Sequence, residues 1–433
     1  MRLAEQGMRV LGFAYKLALP DSSLVAEATQ ELNNFVITCL VGIADLPRKE
    51  AIAAIECAQE AGITVKMITG DHPVTARAIG MCLGIRNGSH VSITGADLDT
   101  ILAEDDLIAF DDLILHNNIF SRASPEHKLL IVQSLQRQNI SCSMTGDGVN
   151  DAPALKQANI GVAMGSGTDV AKESSNIIIT DDNFATIVKA IRYGRCTYSN
   201  LVKILIFVLP TNAAQALSII VALVAGLQVP FTALQILWIN LITSITLGLV
   251  LAFEKPHPRL MRTPPRQVGK SIFGKLVAWR IFFVATLLVA VVLGNFQWEK
   301  LRFGNLEKLR TIAVNTLSVG QVFYLFNCRF LRHNEIPPWN LLLGNPVVYI
   351  GLLGVIFAQI LFTYAKPFQY LFDTKPLDSL SWAKMIFFGA LLFLILELEK
   401  ASTNFYHHVL SAQQIEHEES SHFQDHVSDQ NSV

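Results

Sequence analysis

Short apolar runs alternate with amphipathic stretches through the first 200 residues of the chain. Uninterrupted runs rich in Val and Ile are typical of strands buried in a parallel sheet, whereas apolar residues three or four positions apart predict helices. The strands predicted in this way are 34–45, 63–69, 140–145, 159–164 and 176–180, and the helices are 48–61, 73–83, 126–138 and 183–195. This alternation predicts a doubly wound α/β sheet whose ligands bind at the carboxyl ends of the strands.

The second half of the chain is far more apolar. Asp, Glu, Lys and Arg are all absent between Lys203 and Glu254, and Gly226 and Pro230 interrupt this stretch near its middle. Because a membrane-spanning helix needs about 20 apolar residues, the stretch predicts a helical hairpin that crosses a membrane twice. Six spans are predicted in all, at 204–226, 231–252, 277–296, 312–331, 346–365 and 382–399.

Basic residues near the ends of the predicted spans set the expected orientation. The loop after the second span contains Arg259, Arg262 and Arg266, and Arg329 and Arg332 lie at the end of the fourth. Loops on the cytosolic side of a membrane are enriched in Lys and Arg. We therefore expect a multi-pass protein of the inner (plasma) membrane, embedded in the lipid bilayer, with both ends in the cytosol. The mixed charges of the first residues do not resemble a cleavable signal peptide.

Composition agrees with a membrane protein that also carries a folded soluble domain. Hydrophobic residues make up 51% of the 433 residues and charged residues only 16%, against about 25% in average soluble domains. The net charge of −2 gives no electrostatic reason to expect a nucleic-acid partner. The six cysteines show no paired spacing, so reduced thiols are expected. The polar tail 401–433 contains five of the 11 histidines, but its irregular composition favours a disordered, solvated segment over a metal-binding one.

The stretch Thr-Gly-Asp-Gly-Val-Asn-Asp at 145–151 joins a predicted strand to a following helical pattern. It places Asp147 and Asp151 in a turn bounded by glycines, with Asn150 between them. Mg²⁺ prefers oxygen ligands, which it shares with waters and a substrate phosphate. The turn therefore predicts a Mg²⁺ site, and an ordinary acidic surface turn is the alternative.

Two further segments suit a phosphoryl group. Thr69, Gly70 and Asp71 end a predicted strand, where a hydroxyl and main-chain N–H groups can hold phosphate oxygens. Lys128 begins the helix that precedes the Asp147 strand, where its ammonium can neutralise charge on a transferring phosphoryl group. Each feature alone is weak evidence for a phosphoryl site, because ordinary turns and solvated lysines produce the same pattern.

Taken in order, these motifs resemble the haloacid dehalogenase phosphotransferase core. Their amino-acid sequences resemble the corresponding motifs of P-type ATPases more specifically. The matching segments are 41–48 (Val-Gly-Ile-Ala-Asp-Leu-Pro-Arg), 67–71 (Met-Ile-Thr-Gly-Asp), Lys128, 145–151, 161–165 (Gly-Val-Ala-Met-Gly) and 169–171 (Asp-Val-Ala). Up to about residue 400 the chain resembles the C-terminal half of a bacterial type II cation pump. The resemblance implies the end of a nucleotide-binding domain at 1–33, an incomplete haloacid dehalogenase-like phosphorylation domain at 34–196, an all-α bundle of six spans at 197–400 and a cytosolic tail at 401–433.

The resemblance also implies roles for individual residues. Mg²⁺ would be held by Asp147 with support from Asp151. The phosphoryl group would be bound and activated by Lys128, Thr69, Gly70 and Asp71. ATP would be contacted by these four residues together with Asp45, Arg48 and Asn150.

Two motifs of the family do not occur in the 433 residues. One is the Asp-Lys-Thr-Gly-Thr string that carries the nucleophilic aspartate, and the other is the Thr-Gly-Glu of the actuator domain. Covalent phosphoryl transfer cannot begin without a nucleophile, so we expect a pump fragment that is inactive alone and needs an upstream half polypeptide as partner. The alternatives are a membrane-tethered phosphatase, with Asp45 as its candidate nucleophile, and a non-catalytic membrane scaffold.

Polar residues inside the predicted spans are candidates for binding the transported cation. Pro210 removes a helical hydrogen bond, and carbonyls freed in this way can bind an ion. The candidate side chains are Asn212 and Gln215 in the first span, Asn240, Thr243 and Ser244 in the second, and Gln321 in the fourth. Hydrogen bonding between helices is the alternative.

The resemblance also bears on the identity of the ion. Calcium pumps of this family carry acidic residues at the positions that match Gln215, Ser244 and Gln321. A divalent ion deep in a bilayer normally needs anionic ligands to offset its dehydration. The neutral residues therefore imply a proton or a monovalent cation as cargo, with any charged ligand supplied by upstream spans or by Glu254 at the cytosolic end of the second span.

Overall fold

The computed structural model describes residues 8–15, 35–43, 47–85, 92–266, 269, 272, 274–329 and 345–402. The chain divides into two compact units, one formed by 1–194 with 257–270 and the other by 195–256 with 271–433. Asp45, most of the predicted segment 1–33, the end of the fourth predicted span and the tail beyond Ser402 lie outside the described residues.

The first unit alternates strands and helices, as the sequence pattern predicts. Its strands are β1 Arg9–Tyr15, β2 Val36–Ile43, β3 Met67–Ile68, β4 Ile93–Thr94, β5 Ile119–Ser121, β6 Ser143–Gly146, β7 Ile160–Met164 and β8 Ile177–Ile179. Its helices are α1 Lys49–Glu60, α2 Pro73–Cys82, α3 Gly95–Ala103, α4 Leu107–His116, α5 Pro125–Arg137, α6 Ala152–Gln157 and α7 Asp169–Glu173. Two three-stranded parallel sheets result, with the orders β3-β5-β4 and β6-β7-β8.

The prediction of a buried parallel strand at 34–45 is wrong. β2 pairs antiparallel with β1, with Arg9 opposite Ile43 and Tyr15 opposite Val36. Most residues of β2 are exposed, and Ile37 reaches 74%. An apolar run indicates a strand that favours burial, but it does not specify which neighbour covers the strand or in which direction that neighbour runs.

The region 92–121 contains four elements that the sequence pattern did not predict. β4 and β5 have two and three residues, which is too short for any periodicity to be recognised. Between them α3 and α4 bury apolar side chains against β5. The fully buried residues of this cluster are Leu98, Phe110, Ile114, Phe120 and Ile131.

The second unit is helical. Its helices are α8 Phe184–Val224, which begins within the first unit, α9 Ala233–Thr243, α10 Lys275–Lys300, α11 Leu306–Arg329, α12 Val347–Tyr364, α13 Lys366–Phe372 and α14 Ser379–Ser402. α9 continues through a π-helical turn at Ser244–Gly248 and a 3₁₀ turn at Leu249–Phe253. The predicted helix 183–195 and the predicted span 204–226 form one helix, because residues 196–203 contain no Gly or Pro that would end it.

Five described helices are long and apolar enough to cross a membrane, where the sequence predicts six spans. They are 184–224, 233–253, 277–300, 347–364 and 379–402. The remaining predicted span, 312–331, falls on α11, which has sufficient length but a more polar composition. Its polar residues are buried inside the unit, among them Thr311, Asn315, Thr316, Ser318 and Gln321.

Candidate functional site

The Asp147 turn forms at the carboxyl end of β6. A short helical turn, Val149–Asp151, leads directly into α6. Gly146 permits the tight fold of the turn, because a Cβ atom there would lie 2.6 Å from the Cβ atom of Asp151. The Asp147 carboxylate is exposed, and no hydrogen bond or ion pair engages it within the described part of the chain. Asp151, in contrast, is buried.

Lys128 and Asp151 form an ion pair beside this turn. The Lys128 Nζ atom lies 2.6 Å from Asp151 Oδ1, and the Gly148 N–H donates to Asp151 Oδ2 at 3.3 Å. Lys128 lies in the first turn of α5. Reciprocal hydrogen bonds fix that turn, since the Ser124 hydroxyl accepts from the His127 N–H and His127 Nδ1 accepts from the Ser124 N–H. The helix start thus holds the ammonium close to the Asp147 turn.

Thr69, Gly70 and Asp71 form a defined turn after β3. The Thr69 N–H donates to the Phe120 carbonyl at 2.9 Å, and the Asp71 carbonyl accepts from the Arg122 N–H at 3.1 Å. Within the turn the Thr69 hydroxyl donates to Asp71 Oδ2 at 3.0 Å. Gly70 and Asp71 are exposed and Thr69 is half-buried. All three residues lie at the carboxyl end of their sheet, where parallel sheets bind ligands.

The residues predicted to contact ATP lie in different settings. Asn150 is exposed in the Asp147 turn, and its side chain makes no hydrogen bond to any described residue. Arg48 donates from Nη1 to the main-chain carbonyl of Asp182 at 3.1 Å. Asp45 lies outside the described residues. The structure therefore places Asn150 beside Asp147 and joins Arg48 to a loop in which the sequence pattern indicated no site residue.

The residues of the Asp147 turn fit a Mg²⁺ ion. Asp147 offers an unengaged carboxylate and Asn150 an unengaged amide oxygen, and Mg²⁺ uses such oxygen ligands together with several waters. The Asp151 carboxylate is already paired with Lys128 and bonded to the Gly148 N–H, so it stabilises the turn and does not bind the ion directly. Among the residues that the structure describes, no group of three or more His, Cys, Asp and Glu side chains forms a metal cluster. Water or phosphate oxygens would therefore complete the coordination.

In the membrane-type unit, two of the predicted ion ligands are joined. Gln215 of α8 donates from Nε2 to Asn240 Oδ1 of α9 at 2.8 Å. Gln215 is buried, and its Oε1 atom has no hydrogen-bond partner among the described residues. This pair is a direct polar link between the two helices, with one amide oxygen left unsatisfied.

The other predicted ion ligands are dispersed. Asn212 and Ser244 are exposed, and the buried Thr243 hydroxyl donates to the Ile239 carbonyl of its own helix at 2.8 Å. Gln321 is fully buried on α11, and neither of its amide atoms has a partner within the described ranges. Only Gln215 and Gln321 therefore combine burial with an unsatisfied side-chain oxygen among the six candidates.

The Glu254 carboxylate is engaged by other side chains. Its Oε1 atom accepts from Arg329 Nε at 2.7 Å and from Asn345 Nδ2 at 3.3 Å. Glu254 and Arg329 are both buried. These partners conflict with the expectation that Glu254 supplies a charged ligand for the ion, and they leave upstream spans as the other predicted source.

Three family models match segments of the chain. Residues 228–402 match the C-terminus of cation-transporting ATPases, and residues 13–159 and 128–191 match two models of haloacid dehalogenase-like hydrolases. The resemblance to P-type cation-transporting ATPases is confirmed. The chain thus combines haloacid dehalogenase-like segments with apolar helices that fall mostly in the segment matching the C-terminus of cation-transporting ATPases.

Three relatives illustrate the extent of the match. The chain is 39% identical over 391 residues to a probable cation-transporting ATPase F of Mycobacterium bovis, 37% over 387 residues to cation-transporting ATPase pma1 of Synechocystis, and 35% over 401 residues to a calcium-transporting ATPase of Bacillus subtilis. These matches cover 88%, 88% and 90% of this chain but only 42%, 42% and 43% of the relatives. The chain thus spans less than half the length of these relatives.

Two residues that contact the candidate sites were not predicted from the sequence motifs. Asp182 contacts the loop beside Asp147, and its Asp-Asp-Asn sequence indicated only a helix start. Tyr324 donates to the Ile206 carbonyl. A signal for such a donor was available, because Pro210 deprives the carbonyl four residues before it of its helical partner.

Proposed function

We propose that this chain supplies the second part of the phosphorylation domain and the last six membrane spans of an ATP-driven cation pump. The observation that carries the proposal is the Lys128–Asp151 ion pair beside the open carboxylate of Asp147, at the carboxyl end of a parallel sheet. In such a pump an aspartyl phosphate forms and breaks down while an ion is transported. The first step requires a nucleophilic aspartate, which this sequence does not contain in its family motif.

Each residue of the site has a distinct role in this proposal. Asp147 and Asn150 bind Mg²⁺, which neutralises charge on the phosphoryl oxygens when it is bound. Lys128 brings a positive charge to the transferring group while its pairing with Asp151 keeps the ammonium in place. Thr69 and the main-chain groups of Gly70 and Asp71 orient phosphoryl oxygens.

The sheet edges support a contribution from a further polypeptide segment. β3 and β6 are edge strands, each paired on only one side in the described structure, and the two candidate phosphoryl-binding turns follow them directly. An edge strand carries unpaired N–H and C=O groups that can accept another strand. We propose that a strand carrying Asp-Lys-Thr-Gly-Thr pairs at these edges, from an upstream half polypeptide, and that the chain alone is inactive.

We propose that α11 is a sixth membrane span, in addition to the five apolar helices. Its polar side chains are buried against neighbouring helices, which suits a span inside a bundle better than one that faces lipid. Six spans place both ends of the chain on the same side of the inner membrane. Arg259 and Arg262 after the second span put that side in the cytosol.

The test is acyl-phosphate formation from labelled ATP in membranes that contain this chain. We expect no label with the chain alone, and a hydroxylamine-sensitive label when an upstream half carrying Asp-Lys-Thr-Gly-Thr is co-expressed. Asp147→Ala should abolish that label because Mg²⁺ loses its carboxylate ligand. Label on the chain alone, or label that survives Asp147→Ala, would contradict the proposal.

A further inference from the structure

The loop 165–168, between β7 and α7, contacts the main chain of Asp147. The Thr168 N–H donates to the Asp147 carbonyl at 2.8 Å. Gly167 lies so close that a Cβ atom there would be 2.9 Å from the same oxygen and 3.1 Å from the Asp147 Cα atom. The position of Asp147 is thus set by this loop, while its carboxylate remains unengaged by the described residues.

Asp182 fixes the other side of the same loop. Its Oδ1 atom accepts from the Ser166 N–H at 3.1 Å, and its own carbonyl accepts from Arg48 Nη1 at 3.1 Å. The pKa of Asp182 lies below its ordinary value, chiefly because the Ser166 side chain and main-chain N–H hydrogen-bond to the carboxylate. The residue has a φ of 49°, in the left-handed region, so its backbone is held in an unusual conformation as well.

The Asp182 carboxylate does not serve as a cap for the start of α8. Its two neighbours already supply the contacts at the helix start, since Asn183 Oδ1 accepts from the Ala185 N–H at 3.0 Å and Asp181 Oδ2 accepts from the Thr186 hydroxyl at 2.6 Å. The Asp182 side chain instead bonds to a loop that lies 16 residues earlier in the chain.

We propose that Asp182 is a positioning residue for the Mg²⁺-binding carboxylate of Asp147. It holds Ser166, the loop holds the Asp147 carbonyl through Thr168, and the carboxylate is thereby kept in one place for the ion. This inference rests on the proposed function, because it assumes that Asp147 binds Mg²⁺. Residues that orient metal ligands without touching the metal typically change its affinity about 10- to 100-fold when they are removed.

The experiment is a titration of the purified full chain with Mn²⁺, followed by electron paramagnetic resonance and competed with Mg²⁺. Asp147→Asn first identifies the binding class that depends on this turn. Asp182→Gly removes the carboxylate but tolerates the positive φ, and it should weaken that class about tenfold. Asp182→Asn keeps an oxygen acceptor and also tolerates this backbone conformation, so it should bind within about twofold of wild type.

Asp105→Gly is the matched control. Asp105 is exposed and has a φ of 54°, so the same chemical change is made in the same backbone conformation away from the Asp147 loop. Its Mn²⁺ affinity and melting temperature should equal those of wild type.

Three results would overturn the inference. They are unchanged binding by Asp182→Gly, binding by Asp182→Asn as weak as that of Asp182→Gly, and weak binding that accompanies a large fall in melting temperature, which would indicate a merely structural role. Wild-type chain without any Asp147-dependent Mn²⁺ class would reject the metal site itself. That outcome would remove the proposed function and this inference together, whereas the first three leave the proposed function standing.

Discussion

Tyr324 of α11 donates a hydrogen bond to the main-chain carbonyl of Ile206 in α8, with 2.7 Å between the two oxygen atoms. Ile206 is four residues before Pro210, so its carbonyl has lost the N–H that a regular helix would supply. The Tyr324 ring also stacks on Phe207, with 5.8 Å between ring centroids. A side chain of a neighbouring helix thus satisfies the backbone group that the proline frees. The sequence-based expectation that freed carbonyls bind an ion does not hold for this one.

Tyr324→Phe should destabilise the helical unit by about 1–3 kcal/mol, because the mutation leaves a buried carbonyl without a donor. The measurement is the thermal melting of the purified chain in detergent. Tyr370→Phe is the control, since Tyr370 is 91% exposed and loses the same hydroxyl at the surface. In a Pro210→Ala background the alanine N–H can reach the Ile206 carbonyl, so Tyr324→Phe should cost less there. Equal costs in both backgrounds would refute this account.

Lys128→Met should destabilise the α/β unit by about 3 kcal/mol, because Asp151 then remains as a buried carboxylate without its cation. Adding Asp151→Asn should recover most of that loss, since the unpaired charge disappears. Urea unfolding of the single and double variants measures both effects. A double variant less stable than Lys128→Met would show that the pair does not behave as a charge pair.

Lys66 has an unusual environment for a lysine. Its ammonium donates to the carbonyls of Ile114 and Asn117 and to the Asn118 side-chain oxygen, at 2.6–2.8 Å, near the carboxyl end of α4. No carboxylate is among these acceptors. Burial lowers the pKa of Lys66 from 10.5 to about 8.

This shift predicts a pH dependence of stability. Between pH 8 and 10.5 the unfolded chain binds more protons at this residue than the folded chain, so Lys66 makes the free energy of unfolding rise with pH over that window. Lys66→Met should remove that contribution. Urea unfolding of both proteins at pH 8 and at several higher values measures the difference in slope. Identical slopes would contradict the lowered pKa.

The sequence predicted well those features that depend on local pattern. The helix expected at 126–138 is observed at Pro125–Arg137 because a Ser-Pro start and an apolar stripe define it locally. The pairing of β2 with β1 and the contact of Asp182 with Ser166 depend on segments 16 or more residues apart, for which one sequence carries no signal. α11 illustrates a third case, because its buried polar residues reduce the apolar signal by which spans are recognised.

The ion site gives the last prediction, which concerns Ca²⁺. Gln215 is buried, and its Oε1 atom is unsatisfied in the described structure. The span that contains Gln215 and the span that follows it have no carboxylate between Lys203 and Glu254. Wild-type chain should therefore bind ⁴⁵Ca²⁺ poorly at this position, and we expect the proposed pump to carry a proton or a monovalent cation.

Gln215→Glu should raise ⁴⁵Ca²⁺ affinity at least about tenfold, because an anionic ligand in a low-dielectric interior attracts a divalent ion far more strongly than an amide dipole does. The Asn240 amide can reorient to donate to the new carboxylate, which preserves the contact between α8 and α9. Gln228→Glu introduces the same charge at an exposed position and should leave binding unchanged. Micromolar Ca²⁺ binding by the wild-type chain, lost in Gln215→Ala, would show that neutral ligands suffice and that the cargo is Ca²⁺ after all.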